Sequence, residues 1–248
     1  MLPFMPGAVA LVGSGEFLPA MSEFDAGLLA ATGRTRPRVA ILPTASWPDG
    51  EEAFDRWASM GVAHFSGLGA EVEPVRVRDR VDADDAAHVQ AIGEADLIYL
   101  SGGKPGHLSS VLDGSGVGWA LRQAHQRGAV IAGCSAGAMA LAERHFDMRR
   151  RRLMWPVRWR DGLGLVVGAS VVPHYDAWPE PLSALLVLQA PRGSAVLGID
   201  EETALVGRDG SWQVHGRARV TVWQGRHRER FRAGDVFRLQ ARTLGTPR

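Results

Sequence analysis

Short apolar runs recur along the first half of the chain, and each stops abruptly at glycine, proline or serine. Ala8 to Val12 (AVALV) ends at Gly13-Ser14-Gly15, Arg38 to Leu42 (RVAIL) at Pro43, Asp96 to Leu100 (DLIYL) at Ser101-Gly102-Gly103, and Ala129 to Ala132 (AVIA) at Gly133. Continuous apolar runs of this length predict strands buried on both faces, as in a parallel sheet. Glu71 to Val77 alternates and predicts a fifth strand. Between the runs, Phe24 to Ala31, Gly50 to Leu68, Asp84 to Ile92, Gly106 to Leu112 and Gly116 to Arg127 carry apolar residues at helical spacing. Strand and helix thus alternate with connections too long for hairpins. The pattern predicts an α/β fold: a three-layer, doubly wound, mostly parallel sheet with helices on both faces, and a binding crevice beyond the strands' carboxyl ends.

After Arg144 the pattern breaks. HFDMRRRRLMWPVRWRDG has neither period and reads as a long loop, after which Leu163 to Val172 returns to the core. Ala184 to Gln189 continues a helix and Ala195 to Ile199 is another buried strand. Beyond it, short runs are punctuated by Asp209-Gly210 and Gln224-Gly225, which are hairpin signals. The C-terminal part, about 195–240, is therefore an antiparallel extension meeting the same sheet or its edge. With no repeat, low-complexity tract or linker, residues 1–248 read as a single domain.

Composition narrows the partners. Twenty-eight basic against 27 acidic residues give a net charge of +1, which offers no field for drawing in nucleic acid or an anionic membrane. No apolar run reaches the roughly 20 residues that cross a bilayer. Cys134 is the only cysteine, and the N-terminal MLPFMPGAVALVG lacks a basic region, an uninterrupted apolar core and a cleavage site. The expected compartment is the cytoplasm.

The strongest chemical signal is Gly133-Cys134-Ser135-Ala136-Gly137, a G-x-S-x-G string that follows a strand and opens the helical AGAMALAER. At such an elbow a sharp turn exposes the hydroxyl, small neighbours permit the strained backbone, and the following helix points its N-terminus at developing negative charge. The same glycines also suit a plain structural turn. Cys134 has the better intrinsic nucleophile, but the third residue of the string holds the apex, so Cys134 points back into the sheet as a small buried hydrophobe.

Five ordered segments extend the elbow over most of the chain: ALVGSGEF at 10–17, YLSGGKPGHL at 99–108, IAGCSAGAMAL at 131–141, VVPHYDAW at 171–178 and LGIDEETALV at 197–206. Together they resemble the dipeptidase E and cyanophycinase family of serine peptidases, within the class I glutamine amidotransferase-like fold. The resemblance implies that Ser135 attacks an acyl carbon while His174 takes its proton and returns it to the leaving amine. A serine hydroxyl needs an adjacent base, and imidazole titrates near neutrality. Backbone N–H groups of Ala136, after the nucleophile, and of Gly103, in the SGGKPG loop, are the expected oxyanion donors.

The acid of the triad is where this chain departs from the resemblance. The carboxylate expected between serine and histidine is missing at its usual spacing, where the chain reads Arg150 to Leu153. Asp176 is preferred, because His174-x-Asp176 resembles the His-x-Glu arrangement of class I glutamine amidotransferases, and Asp147 is the alternative. Glu143 reads as part of the elbow helix. Glu16, Glu201 and Glu202 each follow a strand, where a capping or strand-ending role competes with binding of a substrate's amino terminus.

Lys104, the sole lysine, suits a substrate carboxylate or plain solvent exposure. Arg149, Arg150, Arg151 and Arg152 form the densest charge run, which is either a solvated loop or a set of planar forks for an acidic substrate group. No closely spaced His and carboxylate set predicts a metal, and no cofactor is expected. The resulting expectation is a serine hydrolase of a small peptide or amide, with preference for aspartyl substrates, acting alone or as a homo-oligomer. Its competitor is a catalytically impaired domain that keeps the elbow only as structure and binds a small peptide or protein partner.

Overall fold

The computed structural model describes residues 7–147 and 156–239. In chain order the strands are β1 (Val9–Val12), β2 (Arg38–Leu42), β3 (Glu71–Pro74), β4 (Leu97–Leu100), β5 (Val130–Cys134), β6 (Ala142–Phe146), β7 (Trp159–Asp161), β8 (Val166–Val172), β9 (Ala195–Ile199), β10 (Thr203–Arg208), β11 (Ser211–Gly216), β12 (Arg219–Gln224), β13 (His227–Arg232) and β14 (Val236–Arg238). The α-helices are α1 (Ser22–Ala31), α2 (Glu51–Gly67), α3 (Arg80–Ala83), α4 (Ala86–Glu94), α5 (Pro105–Leu112), α6 (Gly116–Gln126), α7 (Ala136–Leu141) and α8 (Glu180–Leu188).

The five strands expected in the first half form a parallel array in the order β3-β2-β4-β5-β1. Their side chains alternate between two cores. Ala10, Val12, Ile41 and Tyr99 pack with Phe24, Leu28 and Phe65 of α1 and α2 on one face. Leu11, Leu42, Ile98 and Ile131 pack with Ile92, Leu108, Leu121 and Leu141 of α4 to α7 on the other. This is why β1, β2, β4 and β5 read as unbroken apolar runs: both their faces are covered, whereas β3 at the edge alternates. Capping sharpens two helix starts, with the Asp85 carboxylate accepting the N–H groups of Ala87 and His88 at α4, and Ser115 Oγ accepting that of Gly118 at α6.

The C-terminal hairpins form as expected, but they are shared between two sheets. β10 pairs antiparallel with β1, and β11 and β14 continue that sheet to its edge. β12 and β13 instead join β9, β8, β6 and β7 in a second sheet ordered β13-β12-β9-β8-β6-β7. Its inner side chains, including Val166, Val171, Leu197, Ile199 and Val220, share the core with Leu205, Val214 and Trp212 of the first sheet. Met139, Phe146, Val172, Leu186 and Val196 form a further cluster that holds α8.

Two expectations need correction. The segment after the elbow does not remain helical through Glu143, because α7 stops after six residues and Ala142 turns extended. Nor is the stretch after Arg144 a plain loop, since β6 and β7 flank 148–155 as an antiparallel pair. The cause is tertiary. The N–H groups of Leu163, Leu165, Gly164 and Gly162 take the carbonyls of Ala140, Leu141, Ala142 and Glu143, so the end of α7 is satisfied by a distant segment and its helix-forming residues are overridden.

Candidate active site

Strand register decides which loops meet. Val12 lies opposite Cys134 and Leu100 opposite Gly133, so the turns after β1, β4 and β5 emerge side by side. In the second sheet Val172 lies opposite Gly198 in parallel, which brings the residues just beyond β8 and β9 to one level. The two sheets converge at these ends: Gly13 N–H donates to Thr203 O at 2.9 Å, and a Cβ on Gly13 would overlap the Asp200 carbonyl oxygen.

Ser135 occupies the apex after β5 with φ 50° and ψ −108°, a strained combination for a residue with a side chain. Both flanking glycines are required by contact. A Cβ on Gly133 would lie 2.6 Å from the Gly137 carbonyl carbon, and one on Gly137 would overlap the Leu100 carbonyl oxygen. The turn leaves Ser135 partly exposed and Cys134 fully buried. Burial, and then the neighbouring Glu16 carboxylate, push the Cys134 thiol well above its ordinary range, so it stays protonated at neutral pH and its Sγ–H donates to Glu16 Oε2 at 2.7 Å.

Ser135 Oγ lies 3.1 Å from His174 Nε2, and His174 Nδ1 lies 2.8 Å from Glu201 Oε1. His174 follows β8 through Pro173 and adopts a left-handed backbone at φ 51°, ψ 40° before a single 3-10 turn, Tyr175–Ala177. The carboxylate on its imidazole is therefore Glu201, not Asp176 or Asp147. Asp176 faces the same loop differently, its Oδ1 accepting the Glu201 backbone N–H at 3.0 Å. Asp147 lies just beyond β6, where its N–H donates to Arg158 O at 3.0 Å and its Oδ2 pairs with Arg160 Nη2 at 3.3 Å. Glu202 pairs with Arg217 at 2.8 Å, and Glu143 accepts the Gly168 N–H at 2.6 Å.

Gly102 lies against the elbow: a Cβ there would be 3.5 Å from Ser135 Cβ. Gly103 follows at φ 140°, a conformation glycine favours, and a side chain there would run into the Ala45 backbone. Gly103 is exposed, and Ala136 opens α7, where the first N–H groups have no carbonyl one turn back. Lys104 points to Asp49, with Nζ 2.7 Å from Oδ1. Arg149, Arg150, Arg151 and Arg152 lie outside the described residues. Among the described residues, no group of three or more His, Cys, Asp or Glu could hold a metal ion.

The sequence pattern of Peptidase family S51 matches residues 9–215. The chain belongs to peptidase family S51. A cyanophycinase of Synechococcus elongatus is 29% identical over 195 residues, covering 74% of this chain and 58% of that protein, so the chain spans less than two thirds of this relative's length. A cyanophycinase of Geminocystis herdmanii is 26% identical over 234 residues, covering 91% of this chain and 83% of that protein. The crystal structure of a peptidase from an acI-B1 Actinobacterium superposes with a TM-score of 0.83 at 32% identity, over 96% of this chain and 98% of that one. The S51 assignment bears out the expected dipeptidase E and cyanophycinase resemblance, and the α/β architecture is that of the class I glutamine amidotransferase-like fold. Among the described residues, no helix is long and apolar enough to cross a membrane.

Proposed function

We propose that this S51 chain is a serine hydrolase that cleaves a small peptide or amide bond through an acyl-enzyme, with Ser135 as nucleophile, His174 as general base and acid, and Glu201 as the group that orients His174. The observation that carries this reading is the unbroken hydrogen-bonded chain from Ser135 Oγ through both ring nitrogens of His174 to Glu201. A carboxylate behind the histidine is what the impaired-domain reading lacks.

In the first half-reaction, Ser135 Oγ bonds to the acyl carbon while its proton moves to His174 Nε2. The oxyanion that forms is held by the N–H groups of Ala136 and Gly103, which develop their full interaction only with that charge. Glu201 fixes the tautomer with the proton on Nδ1 and stabilises the imidazolium. The tetrahedral adduct then expels the amine, which takes the proton from Nε2. Water repeats the sequence: it bonds to the acyl carbon as Nε2 takes its proton, and the Ser135 ester breaks as Oγ recovers that proton.

The substrate part of the proposal is an aspartyl dipeptide, supported by the arginine run at 149–152 and its match to an acidic group. The relatives' name makes cyanophycin, which is rich in arginine, the competing substrate. Peptide hydrolysis tests the reaction: the wild type cleaves and Ser135→Ala does not, whereas retained cleavage in Ser135→Ala rejects the mechanism. For specificity, an Asp-containing dipeptide is expected to exceed its Asn counterpart in kcat/KM by roughly ten- to a hundredfold, the scale of one shielded arginine-carboxylate contact. A ratio near one, or one unchanged by single Arg→Gln substitutions at all four positions, removes this assignment.

A further inference from the structure

A buried carboxylate beneath the elbow plays no part in the proton relay described above. Glu16, just beyond β1, is only 6% exposed. Its Oε1 accepts the Gly102 N–H at 3.0 Å and its Oε2 accepts the Cys134 thiol at 2.7 Å. Removing a carboxylate from water is costly unless its oxygens are satisfied, and here both are used. One partner belongs to the turn after β4. The other is the residue preceding the nucleophile.

The turn after β4 has a second anchor. Lys104 N–H donates to Ala45 O at 2.6 Å, beyond Gly103. The peptide that carries the Gly103 N–H therefore lies between two fixed points, Glu16 on Gly102 and Ala45 on Lys104. Glycine at 102 and 103 leaves this turn little intrinsic stiffness, so its direction depends on those anchors. A Cβ on Gly102 would lie 2.7 Å from Glu16 Oε1, so a side chain there would displace the carboxylate. A donor aimed at a developing oxyanion stabilises the transition state only when it is held in place beforehand.

We propose that Glu16 is a positioning residue: its carboxylate, by accepting the Gly102 N–H, fixes the Gly102-Gly103 turn and so aims the Gly103 N–H at the oxyanion. The inference rests on the serine-hydrolase reading above. It assigns Glu16 neither substrate contact nor proton transfer. Its effect falls on kcat rather than on KM, and Cys134 serves as the second tie without being needed for the aim of Gly103.

The test uses the full chain and compares Glu16→Met, Glu16→Gln and Cys134→Ala for peptide hydrolysis and for the rate of inactivation by a fluorophosphonate. Glu16→Met keeps the volume but removes the acceptor, and is expected to lower kcat and the inactivation rate about a hundredfold or more, the scale of losing one oxyanion donor. KM stays within about threefold on the same reasoning. Glu16→Gln restores an acceptor of the neutral, weaker kind and is expected to recover most of the loss, to about tenfold below wild type. Cys134→Ala keeps the Gly102 bond and is expected within about threefold of wild type, as for a group outside the oxyanion contact.

Folding is checked by thermal unfolding. Should Glu16→Met fail to fold, Glu16→Gln decides: a lowered kcat at constant KM supports the assignment, and a wild-type kcat overturns it. A folded Glu16→Met with near-wild-type kcat overturns it, as does a loss confined to KM. Equal losses in Glu16→Met and Cys134→Ala would also overturn it, because they would make the carboxylate a packing element under the elbow. If the wild type is not labelled at Ser135, the serine-hydrolase reading fails and takes this inference with it. Labelling that is intact and equally fast in all variants removes the inference alone.

Discussion

At the scale of single residues, the acid behind His174 carries the sharpest expectation. Glu201→Gln removes the charge that holds the imidazole in its working tautomer and is expected to lower kcat by roughly a thousand- to ten-thousandfold, as when a serine protease loses its orienting carboxylate. Asp176→Asn acts one step further back, through the Glu201 backbone amide, and is expected to lower kcat by about tenfold at most, the scale of weakening one charge-assisted hydrogen bond. Turnover of one peptide by the two variants checks the order, and a larger loss at Asp176 would reverse the assignment. The roles proposed for Ser135 and His174 are legible in the sequence because each sits in a short local string at a strand end. Glu201 is legible only as an acid after a strand. Its contact with His174 depends on the parallel register of Val172 with Gly198, a pairing across 26 residues of chain that no local spacing announces. Asp176 is better placed along the chain, two residues from His174, but the left-handed turn at His174 directs its carboxylate to the Glu201 amide.

At the scale of elements, the elbow and α7 form one packed unit with β4. Gly137→Ala would drive a methyl group into the Leu100 carbonyl, which neither strand nor helix can avoid without shifting. It is expected to destabilise the chain by about 3 kcal/mol, the upper part of the usual overpacking range. That corresponds to a fall in Tm of roughly 6 to 12 °C for a chain of this size. Gly67→Ala on α2, where a Cβ meets nothing within 4 Å, is the control and is expected to raise stability slightly. Equal Tm values for the two variants would show that the elbow can relax. The parallel half of the sheet is legible because β1, β2, β4 and β5 are covered on both faces and end at turn residues, and the edge strand β3 alternates. The end of α7 is not, since AGAMALAER apart from Gly137 is composed of good helix formers and the signal that stops it comes from the N–H groups of 162–165. The same blind spot hides β6 and with it the second sheet.

At the scale of the whole molecule, two sheets meet at their strand ends, and the proposed triad is divided between them: Ser135 follows β5 of the first, while His174 and Glu201 follow β8 and β9 of the second. Loss of packing between the sheets therefore separates base from nucleophile. Acid is expected to lower the stability of the folded chain, because burial lowers the basicity of His125, His145 and His215 from an ordinary value near 6.5. A depressed folded-state pKa means that the unfolded chain binds the extra proton first. Stability from these groups is complete above pH 6.5 and is lost as pH falls through their lowered folded values. Denaturant unfolding at successive pH values should show that decline, and His145→Leu should make it shallower. A decline of the same slope in His145→Leu would exclude that histidine as a contributor.

On the reading proposed above, Ser135 is an activated nucleophile served by His174. A fluorophosphonate probe followed by peptide mapping asks this directly, whatever peptide the enzyme cleaves. A single adduct on Ser135 is expected in the wild type, none in Ser135→Ala, and labelling slowed about a thousandfold or more in His174→Ala. An adduct on Cys134, or labelling that survives Ser135→Ala, would contradict it.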